Sequence, residues 1–511
     1  MPWGGAGGRA RADGRAPRET EAHRHTHTQK HSLLERSQYP ISFHPSPPCL
    51  SLSLRSAARA ALATARVPTP RTSEAFRQTD ISPITTADLA WRGGGGGAEG
   101  VERAAAAAGV DAAFAALHAL PGAAATLVLL DGLAVPSLCS GLGARTDGAY
   151  AGCLAGAPPL ALGSLGRAQA AATAAAAAAN PAASGARGGS LFASLNAAAT
   201  GDVAVVYAGA DTTIEGPVHI LFVSTGGGGE GSPSPASIPA AAPRLLVALA
   251  PGATAAVVEE FVTAPSSSTS SQHSFTSAVA EVELGAGAAL EHGYVQAEGR
   301  ATWHAKQTLV TQAAQSRYAF VEARIGGAFS RGEVDVVQTG PATHTSLRSF
   351  LLAGPDQAHD LHSRLELDHP DGTANQLHKC IAASPTSRAV FDGSVRVGRA
   401  AQRTDAAQLS RNLLLAKRAL VHARPNLQII ADDVKCTHGC AVSDLDAEAL
   451  FYFRSRGVDA AAARAVLVAS FGAEVVAGLP SKELRGRVEA ACRASLAEAG
   501  VPGVVVDVKA E

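Results

Sequence analysis

The sequence predicts a mainly β protein with helical segments before and after a β core, the core being a sandwich, a barrel or, the best fit of the three, a stacked β-solenoid. Three observations carry this. From about residue 196 to 437, short apolar stretches of four to eight residues recur between Gly, Asp, Asn and Pro. They alternate with a period of two, as in Val282-Glu283-Leu284 and Leu365-Glu366-Leu367, which is the pattern of a half-buried strand. No helix-length amphipathic pattern interrupts them, which argues against βαβ units. Small residues at many interior-type positions favour the narrow core of a solenoid, although no strict repeat length is visible.

In chain order, residues 1–71 read as a transit peptide or disordered leader. From Arg36 to Ser73 there is no Asp or Glu while Arg, Ser and Pro abound, the composition of an organelle-targeting segment. The polar run with His23, His25, His27 and His31 reads as part of that leader rather than as a metal tract. Residues 72–195 read as a mostly helical domain. Gly94–Gly97 breaks the helical pattern, and AQAAATAAAAAANP (168–181) is a strong helix former stopped by Asn180-Pro181. Within this domain ATLVLLDGL (125–133) reads as a strand and turn. The β core spans 196–440, with TGGGGEGSPSPASIPAAA (225–242) as an exposed insertion.

Residues 441–511 read as a helical domain. Ser443 with Asp446 three residues later fits a helix start, closed by Gly457. A second helix begins at Asp459 and spaces Leu467, Phe471 and Val475 by four. A third begins after Ser481, aligns Leu484, Val488, Cys492 and Leu496, and ends at Gly500.

Composition removes several function classes. With 43 basic and 44 acidic side chains the formal net charge is −1, so no bulk field attracts nucleic acid or an anionic membrane. No apolar run of transmembrane length occurs. The seven cysteines (Cys49, Cys139, Cys153, Cys380, Cys436, Cys440 and Cys492) are odd in number and mostly scattered, which suits a reducing compartment better than a disulfide framework. No Walker-type phosphate loop is present, so the chain is not expected to hydrolyse ATP itself, and no nucleophile elbow in a plausible context occurs either. A carbohydrate-active enzyme on a β-helix would need aromatic platforms, and aromatics are only 5%. A stand-alone metal-binding protein is the other alternative.

The sharpest local cluster is ADDVKCTHGCAVSDLD (431–446). In a strand, Cys436, His438 and Cys440 point to one face, and two thiolates with an imidazole suit zinc or the iron of a sulfide cluster. Lys435 beside them would lower the Cys436 thiol pKa. The bland reading makes the cysteines small buried hydrophobes and His438 a turn residue. A second cluster, His359, His362 and His369 with Asp356, Asp360 and Asp368, reads as a polar turn between rungs of the β core. His378-Lys379-Cys380 is a weaker echo of the same kind.

The stretch 376–476 resembles the SufD family, scaffold subunits of the SUF iron–sulfur assembly system. The resemblance rests on VFDG, AQRTDA, NLLL, PNLQIIADDVKC, a His-Gly pair and LFYFRSRG in that order, with weaker likeness in LFASLNAA (191–198) and GPVHILFV (216–223). It implies a right-handed parallel β-helix flanked by N- and C-terminal helical segments. It implies pairing with a SufB-like subunit through β-helix edges and docking of a SufC-like ATPase on the C-terminal helices. His438 would face SufB and help to hold a transient iron–sulfur cluster or its iron, Cys436 would occupy the neighbouring motif position, and the chain would support iron acquisition. Cys440 stands where relatives carry a small or hydroxyl residue, and the resemblance gives it no role. The wording QIIADDVKC and LFYFRSRG is similar to plant and algal plastid forms, which with the leader implies the plastid stroma.

Overall fold

Two parallel sheets face each other, and successive strands alternate between them. This computed structural model describes residues 52–504, except 65–67, 69, 72, 93–96, 142, 145–147, 172–173, 175–187, 227–236 and 266–272. All described residues fall in one unit, 41–511. The His run of the leader lies outside the described residues, as does most of the Ala-rich stretch 168–181.

The first sheet runs from Ala204–Ala208 and Arg244–Leu249 through Ser274–Leu284, Thr302–Gln312, Phe329–Gln338, Ala358–Leu367 and Arg388–Val397 to Leu420–Ile429. The second runs from Thr213–Ser224 and Thr254–Thr263 through Ala289–Gln296, Arg317–Arg324, His344–Ala353, Thr373–Ala382 and Asp405–Leu414 to Lys435–Ser443. The chain therefore winds as a parallel β-helix, with eight successive strands in each sheet. The sheets also extend towards the N-terminus. Ala125–Leu130, the strand expected from ATLVLLDGL, pairs in parallel with Thr213–Ser224, and Ala149–Cys153 pairs antiparallel with Ala204–Ala208.

The register shows why no repeat is visible in the sequence. Trp303 lies beside Phe329, Ala358, Arg388 and Leu420 in successive coils, steps of 26, 29, 30 and 32 residues. The strands keep their length and the corners vary. Several corners place a non-glycine residue in the left-handed region, among them Asp356 (φ 54°), Asp371 (φ 62°) and Arg403 (φ 58°), a conformation that Asp tolerates better than most residues. The segment 225–242, expected as an exposed insertion, is not all exposed. Ser237–Ala241 is a largely buried strand, because it pairs with both Asp88–Trp91 and Ser274–Leu284.

Inside the helix every second residue points inward, so a shift of one residue would exchange lumen for solvent. Val334, Val336, Leu361, Leu365, Leu367, Val395 and Val397 fill the inner wall. The lumen is not purely aliphatic. Phe222 stacks on Phe261 at 4.5 Å, and Tyr318 and Tyr294 stack on Phe320 at 6.0 and 6.5 Å. The few rings of this chain are thus concentrated where overall composition gave no hint of them. Beside them lie buried ions. Lys306 donates to both carboxylate oxygens of Glu259 at 2.7 Å, and Glu259 also meets His292 at 2.9 Å.

The C-terminal helices cover the outer face of the second sheet. Val468, Val475, Val476, Leu484, Val488 and Leu496 pack against Val258, Val295, Val321, Phe350, Leu352 and Ile381. Gly472 sits so close to Phe350 that a Cβ there would lie 2.7 Å from the ring. Asp459 and Ser481 cap their helices as expected. The first helix, Ala447–Ser455, is capped by Asp446; Ser443 ends the preceding strand and caps nothing. Gly457 (φ +82°) and Gly500 (φ +69°) follow the helices they were expected to stop. At the other end, helix Leu52–Thr64 packs on helix Gly188–Ala199, where the buried Arg55 donates to Thr200 O at 2.7 Å. Phe76 is buried against the Arg331 guanidinium, 4.0 Å from its centre to the ring, and Thr79 donates to Asp360 at 2.6 Å.

Candidate functional site at the open end of the β-helix

The last coil is made of Leu420–Ile429 and Lys435–Ser443, and each is the final strand of its sheet. Inward residues of Arg388–Val397 are buried, whereas Val421, Ala423, Pro425 and Leu427 are only half-buried, because no further coil lies over them. Leu420, Ile429, Ile430 and Val442 are exposed at this end. An open strand edge bearing apolar side chains is a template for another chain.

Strand Lys435–Ser443 pairs in parallel with Asp405–Leu414, setting Cys436 beside Ala406, His438 beside Gln408 and Cys440 beside Ser410. Ala406, Gln408 and Ser410 are buried inward residues, and Gln408 donates to Gln376 at 2.7 Å from there. Residues facing each other across an in-register pair share a face. Cys436, His438 and Cys440 therefore line the lumen side of the terminal coil, as their spacing suggested. They are not equivalent. Cys436 is half-buried and packs, with Val434, against the lumen core, while His438 and Cys440 are exposed.

The expectation that Lys435 lowers the Cys436 thiol pKa is overturned. Burial pushes that thiol up, and the Asp405 carboxylate pushes it further the same way. Lys435 is the strand neighbour of Cys436 and so points to the opposite face.

The histidine cluster is dispersed. His359 faces the lumen, where Nε2 meets Leu352 O at 3.0 Å and burial pushes its pKa down to about 3. His362 lies on the outer face, 2.8 Å from Asp360 and 3.6 Å from Asp392. Burial would raise the Asp360 carboxyl, but the His362 imidazole and the Arg331 guanidinium outweigh it and hold it low. His369 sits at a corner with its backbone N–H on Gln338. His378 stacks on Phe391 at 4.2 Å, bonds Ser349 at 2.8 Å and is pushed down to about 3 by burial. Burial pushes the Cys380 thiol up to about 12. These residues hold the rungs together. Among the described residues no set of three or more His, Cys, Asp or Glu side chains could hold a metal ion, and no helix is long and apolar enough to cross a membrane.

The apolar rim at Leu420, Ile429, Ile430 and Val442 was not singled out from the sequence. Its only signal is a doubled Ile429-Ile430 just where strand alternation stops. A second exposed surface lies on the C-terminal helices, where docking was expected to use Leu450, Phe451 and Phe453; of these, Leu450 and Phe453 are half-buried. Phe451 and Tyr452 project from helix Ala447–Ser455 and Val466 from helix Ala460–Val476, all exposed. A groove of about 630 Å³ on the second sheet, lined by Glu291, Arg317, His344 and Asn375 among others, contains none of the residues singled out for chemistry.

Comparison with known proteins gives a consistent answer. Residues 233–471 match the SufBD core domain of the SUF system for FeS cluster assembly. That span takes in the coils from Arg244–Leu249 onward, the terminal strand and part of helix Ala460–Val476. The chain is similar to protein ABCI7, chloroplastic, of Arabidopsis thaliana, with 44% identity over 295 residues, 58% of this chain and 61% of that protein. It is 36% identical over 301 residues to an iron–sulfur cluster assembly SufBD family protein of Synechocystis, covering 58% of this chain and 64% of the relative. It is 33% identical over 277 residues to the iron–sulfur cluster assembly protein SufD of Escherichia coli, covering 53% and 62%. The chain thus spans about six-tenths of the length of these curated relatives. Fold and matches together show that residues 233–471 form a SufBD core domain of the SUF system for FeS cluster assembly, in a chain similar to SufD-type and chloroplastic proteins.

Proposed function

We propose that this chain is a non-catalytic scaffold subunit for iron–sulfur cluster assembly in the plastid stroma. It pairs with a SufB-like subunit through the open end of its β-helix and carries a SufC-like ATPase on its C-terminal helices, while binding no ATP itself. The single observation that supports this most is the terminal coil, an unpaired edge with apolar residues at its rim and His438 exposed on its lumen face. A cluster or iron ion handled there is cargo. Cargo that must leave needs few, exposed and replaceable ligands, unlike the closed four-ligand set of a structural metal site. His438 supplies one such ligand, the resemblance sets Cys436 beside it, and the partner's edge completes the set. Phe451 and Tyr452, which no other described element covers, suit the docking of the ATPase.

Co-expression with SufB-like and SufC-like partners tests this. The wild-type chain is expected to co-purify with both and to support cluster maturation, and His438→Ala to assemble normally but mature clusters far more slowly. Wild-type maturation rates in His438→Ala would contradict the site. Failure of the wild-type chain to form a complex would contradict the scaffold role.

A further inference from the structure

His438 has a cysteine on either side of it on the same strand face, Cys436 two residues before and Cys440 two residues after. At about 3.3 Å per residue, the Cα atoms of the two cysteines lie about 13 Å apart, and each lies about 7 Å from that of His438. Cysteines bridge directly only when their Cα atoms are within about 7 Å, and replacing the disulfide by two thiolate–metal bonds extends that reach by about 2 Å. Cys436 and Cys440 therefore cannot hold the same ion. A single ion on this strand takes His438 and one thiol.

The surroundings separate the two thiols. Cys436 is half-buried beside Ala406 and packed against the lumen core, so it would have to leave that packing to reach an ion over His438. Cys440 lies beside Ser410 in the exposed half of the strand, where no further coil covers it. Building on the assembly role given above to the same edge, we propose that His438 and Cys440, rather than His438 and Cys436, form a two-ligand half-site for a borderline metal ion such as Fe²⁺ or Zn²⁺. The imidazole binds neutral through one ring nitrogen. The Cys440 thiol releases its proton to solvent as the sulfur–metal bond forms, with no change of oxidation state. The remaining coordination positions are filled by water until a partner edge arrives.

Cobalt(II) serves as the probe, because its bonds to thiolate give a near-ultraviolet charge-transfer band that bonds to imidazole do not. The full chain is titrated with cobalt in a Cys49→Ser background, since Cys49 lies outside the described residues. The parent is expected to show the band, Cys440→Ser to lose it and Cys436→Ser to keep it. Iodoacetamide labelling read by mass spectrometry is expected to show cobalt protecting Cys440, a readout that does not depend on how well the serine variants fold. Absence of the band in the parent, its survival in Cys440→Ser, its loss in Cys436→Ser, or cobalt protection confined to Cys436 would each overturn the pairing. The assembly reading has its own failure. If Cys440→Ser keeps the band while His438→Ala still blocks cluster maturation, only the pairing falls; if the wild-type chain forms no complex, the assembly reading falls.

Discussion

The lumen of the middle coils and the lumen of the last coil are built from the same strand pattern, yet one neutralises its reactive side chains and the other displays them. In the middle, Lys306, His292 and Glu259 satisfy one another, and His304 lies 2.6 Å from Glu298 and 2.9 Å from Tyr294. Every one of these groups is buried. In the last coil His438 and Cys440 occupy equivalent inward positions and are exposed. The difference is one missing neighbour. A coil laid on top turns a histidine into a structural group, and its absence leaves the histidine available to solvent, metal or partner.

Breaking the middle is expected to have the largest effect. Lys306→Met leaves the Glu259 carboxylate buried with only His292 as a partner, and loss of one member of a buried pair costs about 3–5 kcal/mol. Chemical denaturation is expected to show a destabilisation of that order, and a change within experimental error would contradict the ionic account of the lumen.

Acid is expected to act on the lumen and on the outer face of the second sheet, where Glu260 lies beneath the C-terminal helix that carries Arg487. Burial would raise the Glu259 carboxyl, but Lys306 and His292 outweigh it and hold its pKa down to about 2. Glu260 is likewise held low, burial again opposing, by hydrogen bonds from His118 and His219 and by Arg487. A depressed folded-state pKa gives stability that is present above the unfolded value, about 4.3, and is lost as pH falls towards the folded one. Stability is expected to fall steeply between about pH 4 and pH 2, with a shallower fall in Glu259→Gln; an unchanged slope in that variant would assign the acid sensitivity elsewhere.

At the open end the expected effects on folding are small and those on association large. Ile429→Glu and Val442→Glu place charge on side chains that are already exposed, so they are expected to change stability by no more than about 0.5 kcal/mol while abolishing co-purification with a SufB-like partner. Undiminished co-purification would show that pairing does not use this rim. His438→Ala is expected to leave thermal unfolding nearly unchanged; a large destabilisation would make His438 a rung residue like His359 or His378.

The strands were legible because alternation is a local property, visible in segments such as Leu365-Glu366-Leu367. The coil repeat was hidden by corners of unequal length, and it appears only when Trp303, Phe329, Ala358, Arg388 and Leu420 are seen side by side. The ionic lumen was illegible for a different reason. Glu259, Lys306 and His292 lie on three different strands, and the partner of each comes from another strand, so nothing local in the sequence pairs them. At the site, the common face of Cys436, His438 and Cys440 followed from strand geometry. Which of them is exposed depends on where the last coil ends and what lies beneath it. That is why the sequence put Lys435 against Cys436, whereas in the fold burial and Asp405 govern that thiol.

The central claim is that the last coil is an open half of a site which a partner completes. Cluster maturation by the His438→Ala chain, co-purified with SufB-like and SufC-like partners and compared with wild type at equal complex occupancy, tests it most directly. The account predicts intact assembly with maturation reduced to a small fraction of the wild-type rate. Intact assembly with wild-type maturation would contradict it.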